Sequence, residues 1–332
     1  MLLLLLACAP KAPPEARVLH SSSAEDSSAL AAQLVIEGAL ENRLATGDDA
    51  DLVLFYGGEE RGSLEPCGCP KRPRGGIPRL MAYVEASRAA NPGQSDLLLN
   101  GGYWLEDAMG LDGEPRPDTP VMNRWMIAGI QQAGFSALNI TFNDAAGIST
   151  VLEDGGEIDV PGVSANVSGP GVAPYYIVER EGMTIGITGI SRAGLTYQQT
   201  PGFTSVDPGQ AGTEVLQALN EQVDFVILMA YQSPETAQRL AQKGLVDVVI
   251  DTNLHREFSP PFRVGDAIWV RSHIQTMRLG ELRLGITDGR VDWAVDRKID
   301  LDGEIPSSKG SLTLAETARE ELDTLQRSLY QR

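Results

Sequence analysis

The chain has 332 residues, 42% of them hydrophobic, with 27 Lys and Arg against 45 Asp and Glu and a net charge of −18. That length buries a sizeable core as one large domain or two small ones, and the acidity argues against nucleic acid, whose phosphates demand clustered cations. No internal apolar run reaches the roughly 18 residues that a membrane-spanning helix needs.

Met1 to Cys8 opens the chain with a leucine run that ends Leu5, Leu6, Ala7, Cys8. This resembles a bacterial lipobox, in which the leader is cut before the cysteine and the thiol is acylated. The apolar stretch is short and lacks a basic start, as a start codon placed too late would produce. Residues 1–8 are therefore expected to be a lipoprotein signal peptide, possibly incomplete, with Cys8 as the lipidation site. The folded part would then be lipid-anchored to a bacterial membrane, facing the periplasm or exterior; the alternative is a plain leader without that role. Residues 9–28 are rich in Pro, Ala and Ser and read as a flexible tether that includes His20. Leu30, Leu34, Ile36, Leu40 and Leu44 predict a helix from Ala29 to Leu44, capped by Ser27 or Ser28.

Leu52 to Tyr56 is a short apolar run that predicts a buried strand, stopped by Gly57 and Gly58. A polar loop with Cys67 and Cys69 follows, then a helix over Arg79 to Ala89. Strand, functional loop and helix in that order is how open α/β sheets present ligands at strand ends. Further strands are expected within Asp96 to Trp104, at Asp224 to Tyr231 and over Val246 to His255. Tyr175 to Ile190 alternates and turns at Glu181 and Gly182, as a hairpin does. Helices are expected at Val121 to Ala133, Gln210 to Asn220 and Pro234 to Lys243.

The stretch Gly62, Leu64-Glu65-Pro66, Gly75-Gly76 and Arg79 resembles the opening of the calcineurin-like metallophosphoesterases of the 5′-nucleotidase and UDP-sugar hydrolase type. The same Glu-Pro-Cys-Gly-Cys occurs in a bacterial lipoprotein branch related to them. The resemblance runs from about Leu52 to Asp292. It implies an α/β fold, a four-layer α/β/β/α sandwich of two mixed sheets, over residues 29–300, with 301–332 as a C-terminal linker and helix. In place of the nucleotidases' substrate domain, Leu312 to Tyr330 reads as one amphipathic helix with Leu314, Ala318, Leu322, Leu325 and Leu329 near heptad spacing, a terminal cap or a pairing helix.

The resemblance also implies a two-metal site in which ions about 4 Å apart orient phosphate and activate water. Here the positions that carry it have changed. Glu59 stands for an Asp, Arg61 for a His, Tyr103 for the bridging Asp and Phe142 for an Asn. Asn143 stands for the catalytic His, with Asp144 as its carboxylate partner. Tyr231 and Asn253 stand for metal-binding His residues, and His255 alone keeps the family residue. A guanidinium has no lone pair to give a metal. Glu59 and His255 remain as donors, Asn253 marginally, which is too few for two ions. The resemblance thus implies no cofactor, with a divalent metal as the alternative. Arg61 has two readings: an ion pair with Glu59 or Glu60 filling the former metal space, or an anion pocket with nearby backbone N–H groups. His273 is expected to face the old cleft.

Cys67 and Cys69, one glycine apart, have three readings: an inert structural loop, a strained and easily reduced disulfide, or a pair of soft metal ligands. Lys71, Arg72 and Arg74 nearby lower a thiol's pKa. Three functions follow. The first is an exported lipoprotein with a degenerate phosphoesterase domain, a binding or scaffold module without hydrolysis, whose partners would be the membrane, a protein or second copy along the C-terminal helix, or a small anion. The second is an active phosphoric-ester hydrolase with an altered metal site. The third is a thiol redox or metal-handling protein using Cys67 and Cys69.

Overall fold

The computed structural model describes residues 18–19, 31–36, 40–66, 69, 71–110, 114–194, 200–252 and 260–330. Its main strands form two mixed sheets. In the nine-stranded sheet, Leu52–Gly57 lies parallel to Asp96–Asn100 and antiparallel to Arg278–Thr287, and Ala137–Asn139 continues the parallel run. The six-stranded sheet has a parallel centre of Met183–Ser191, Phe225–Tyr231, Val248–Thr252 and Ala267–Arg271, with antiparallel edges Tyr176–Arg180 and Phe262–Val264.

Central strands such as Leu52–Gly57 and Phe225–Tyr231 are apolar along their length because both of their faces are covered. Successive side chains point to opposite faces. Leu52, Leu54 and Tyr56 enter a core shared with Ile187, Ile227, Met229 and Ile250 of the other sheet. Val53 and Phe55 turn to the helices Ile77–Ala90, Thr119–Ala133 and Phe142–Glu153. On the far side, Val226, Leu228 and Ala230 meet Leu216, Leu219 and Leu240 from Pro208–Asn220 and Pro234–Gln242. The architecture is the four-layer α/β/β/α sandwich expected. Proline in the first turn helps start four of these helices, where a missing N–H costs nothing.

Two expectations near the start are corrected. The helix predicted over Ala29 to Leu44 is instead a strand, Ala31–Ile36, followed by a short helix, Leu40–Arg43. Ala31–Ile36 pairs in parallel with Arg290–Asp300, from Trp293 opposite Ala31 to Lys298 opposite Ile36. A ladder partner from far along the chain overrides the local leucine spacing, and the β-branched pair Val35 and Ile36 suits it. The tether is not wholly free of regular structure, since Val18–Leu19 pairs antiparallel with Ala31–Ile36.

The C-terminal helix, Lys309–Tyr330, lies against Ile77–Ala90 and Thr119–Ala133. Ala315 and Ala318 are buried there. Glu321 accepts from Trp125 Nε1 at 2.7 Å, Gln326 donates to Asp118 at 3.3 Å, and Arg319 grips Glu65 with two nitrogens. These contacts seat the helix on its own domain.

Candidate functional site

The parallel strands of both sheets end at one edge. After Leu52–Gly57 the chain runs alongside the segment that follows Asp96–Asn100: Glu59 N–H donates to Gly102 O at 2.8 Å, Arg61 N–H to Tyr103 O at 3.1 Å and Gly62 N–H to Trp104 O at 2.9 Å. The sheets close on each other here, and Gly101 is needed for it, because a Cβ there would lie 1.9 Å from Thr252 Oγ1.

Three rings fill the space between. Tyr103 and Tyr231 meet edge to face at 5.9 Å, and Phe142 lies tilted against Tyr231 at 5.7 Å. Arg61 stacks on Tyr103 at 4.9 Å and Arg192 on Phe142 at 4.6 Å. Arg61 also donates from Nη2 to Glu59 at 2.8 Å, the ion pair that was one reading of this position. The Tyr231 hydroxyl accepts from Asn143 Nδ2 at 3.3 Å and from Gln232 at 2.9 Å, while Tyr103 donates to Asp107 at 2.7 Å. Both phenols are held above the ordinary tyrosine range. Burial is the main cause, joined by the Asp107 carboxylate at Tyr103 and by Glu59 and Asp144 at Tyr231.

Asp144 is buried and anchors the loop rather than assisting Asn143. Its carboxylate accepts from the backbone N–H groups of Tyr103 and Trp104 at 2.8 Å and Leu105 at 3.1 Å. With Thr141 it also forms the capping box that starts Phe142–Glu153. Burial raises its carboxyl to about 6, against the downward pull of those hydrogen bonds.

Glu60, which the sequence offered only as an alternative ion-pair partner of Arg61, pairs elsewhere. It is fully buried, accepting from Asn100 Nδ2 at 2.7 Å and from Thr276 Oγ1 at 3.1 Å. Burial pushes its carboxyl up to about 7. The backbone around it is contorted: Glu59, Arg61, Tyr103, Gln232, Gln275 and Thr276 all take positive φ, between 48° and 59°. Non-glycine residues seldom do so, and a β-branched threonine least of all.

The structure thus brings together Glu59, Arg61, Tyr103, Phe142, Asn143, Asp144 and Tyr231. Asn253, His255, Cys67 and Cys8 lie outside the described residues. Cys69 is exposed, and the backbone N–H groups of Arg72 and Lys71, then the charges of Arg72 and Arg74, hold its thiol below the ordinary value. His273 is half-buried just before the turn Ile274–Thr276, with Nδ1 3.1 Å from Ile274 O.

A two-metal centre needs several donors with lone pairs aimed at shared points. The donors here are committed elsewhere: Glu59 to Arg61, Asp144 to backbone N–H groups, and Asp251 to Arg271 and Trp269. The rings occupy the remaining space. Among the described residues no three His, Cys, Asp or Glu side chains group as a metal would need. The described residues alone do not fit the dinuclear centre that the fold resemblance implies, and Asn253 and His255 lie outside them.

No family model and no curated protein matches the chain. Solved structures do. The sulfate thiohydrolase SoxB of Thermus thermophilus superposes with a TM-score of 0.66 at 15% identity, over 82% of this chain and 61% of that one. A 5′-nucleotidase precursor from Thermus thermophilus gives 0.65 at 17% identity, over 83% and 60%. The NAD nucleotidase of Haemophilus influenzae gives 0.63 at 17% identity, over 82% and 60%. The chain spans about 60% of the length of each of these structures.

Proposed function

We propose that this chain, which has the fold of the calcineurin-like metallophosphoesterases of the 5′-nucleotidase type, is a lipid-anchored extracytoplasmic protein that binds rather than hydrolyses. The observation that supports this is the ring cluster of Tyr103, Phe142 and Tyr231, pinned by Arg61 and Arg192 and built from positions that the resemblance aligns with the family's metal ligands. Aromatic rings and guanidinium groups supply no lone pairs to a divalent ion, and the Asn143 carboxamide does not titrate, so it cannot transfer a proton to a leaving group. A lost general acid alone costs roughly 10²- to 10⁴-fold in rate. The membrane is reached through an acyl chain on Cys8, and the partner on the folded side is a protein or a small anion.

The purified protein should not turn over nucleotides, UDP-sugars or an aryl phosphate above background, with or without Mn²⁺, Zn²⁺ or Co²⁺. Metal-dependent turnover that vanishes in His255→Ala would overturn the reading. For the anchor, Cys8→Ala in a chain with its full leader should release the protein from the membrane fraction. An unmodified wild-type Cys8 would refute that part.

A further inference from the structure

Outside the ring cluster, a cleft of about 290 Å³ opens between the loop 61–65, the helix Thr119–Ala133 and the C-terminal helix. Its walls include Leu64, Met122, Trp125, Ala315, Ala318 and Leu322. The size is near the lower end for small-molecule sites, and the walls are mixed, with Arg61, Glu65, Glu106, Arg319 and Asp323 beside the apolar side chains. One wall belongs to the C-terminal helix.

The charges at the cleft are unequal in what they have left to offer. Glu65 is held by Arg319, and Glu106 by Arg116 at 3.1 Å. Asp323 sits exposed on the rim with Arg327 at 3.9 Å. Arg61 differs: its Nη2 goes to Glu59, while its side chain stays one-third exposed (33%) at the cleft and its Nη1 has no hydrogen-bond acceptor among the described residues. Stacking on Tyr103 uses the face of the guanidinium and leaves its donor edge for an anion.

We infer that this cleft is a binding site for a small amphipathic anion, an apolar or aromatic body against Trp125, Met122 and Leu322 with an acidic head on Arg61. The inference builds on the reading of the chain as a binding module. It is tested separately from hydrolysis, so an empty cleft would leave the loss of activity standing.

The probes are 8-anilinonaphthalene-1-sulfonate, an aromatic anion, and N-phenyl-1-naphthylamine, its near-neutral counterpart, titrated into the full chain produced without acylation. The sulfonate should bind at one site with energy transfer from tryptophan that falls in Trp125→Phe. Arg61→Gln should weaken the sulfonate about tenfold and leave the amine unchanged. Ala318→Phe, which fills the cleft, should weaken both at least tenfold. If that variant fails to fold, Gln326→Trp blocks the cleft from an exposed position on the same wall. The inference is overturned if the sulfonate does not bind, if the blocking variants bind it as wild type does, or if Arg61→Gln weakens both probes alike.

Discussion

Replacing Glu60 by Gln should stabilise the protein at neutral pH and remove part of its pH dependence. The folded carboxyl titrates at about 7, against 4.5 for an ordinary glutamate. A proton held more tightly in the folded state gives stability that is complete below the unfolded value and is lost as pH rises through the folded one. At about 1.4 kcal/mol per tenfold in proton affinity the whole effect is about 3 kcal/mol. About 2 kcal/mol of it falls between pH 5.5 and 8, a window clear of the isoelectric point near 4.6. Gln suits the site because its oxygen can accept from Asn100 while its amide donates to Thr276 Oγ1, whose hydroxyl turns from donor to acceptor. Urea unfolding of both proteins at the two pH values reads the effect, and the Gln variant's advantage should grow by about 2 kcal/mol from pH 5.5 to 8. An advantage constant within about 0.5 kcal/mol would mean that Glu60 titrates normally, and the reasoning from burial would fail.

Asp144→Ala should destabilise by about 3 to 5 kcal/mol, because it leaves the buried N–H groups of Tyr103, Trp104 and Leu105 without their acceptor; a loss under about 1 kcal/mol in urea unfolding would contradict its role as loop anchor. Cys69 should react with iodoacetamide in the native reduced protein at pH 7 faster than a free cysteine does, since it is exposed and its thiolate is favoured. Mass spectrometry after a short pulse decides this, and labelling that waits for unfolding would refute it.

Much of the frame was legible because it rests on local pattern. The apolar runs gave the strands, and the glycines after Leu52–Gly57 and Asp96–Asn100 marked where the chain leaves the sheet. What depends on distant partners was not legible. Ala31–Ile36 became a strand because Arg290–Asp300 offered a free edge, and Arg192 reached Phe142 through the fold. Of the neighbouring acids Glu59 and Glu60, no sequence pattern says which faces Asn100. That is decided by the left-handed turns at Glu59 and Arg61. Asp144 is different, since Thr141 followed three residues later by an acid before an apolar stretch is a capping signal. Reading it would have placed Asp144 at a helix start instead of beside a catalytic base.

Among the described residues, the acids at these strand ends are each met by groups of the chain itself. Glu59 takes a guanidinium, Asp144 takes several backbone N–H groups, and Glu60 holds a proton up to about pH 7. Each solution removes the cost of an unpaired buried charge. The rings then replace polar space with packed apolar surface, and both phenols find hydrogen-bond partners. The left-handed residues at Glu59, Arg61, Tyr103 and Thr276 persist because hydrogen bonds on either side hold them, from Glu59 N–H to Gly102, Gln275 N–H to Glu59 and Thr276 Oγ1 to Glu60. The backbone path at these strand ends is thus held by the chain's own hydrogen bonds and packed rings, and replacing one buried ring by a smaller side chain would open a cavity there.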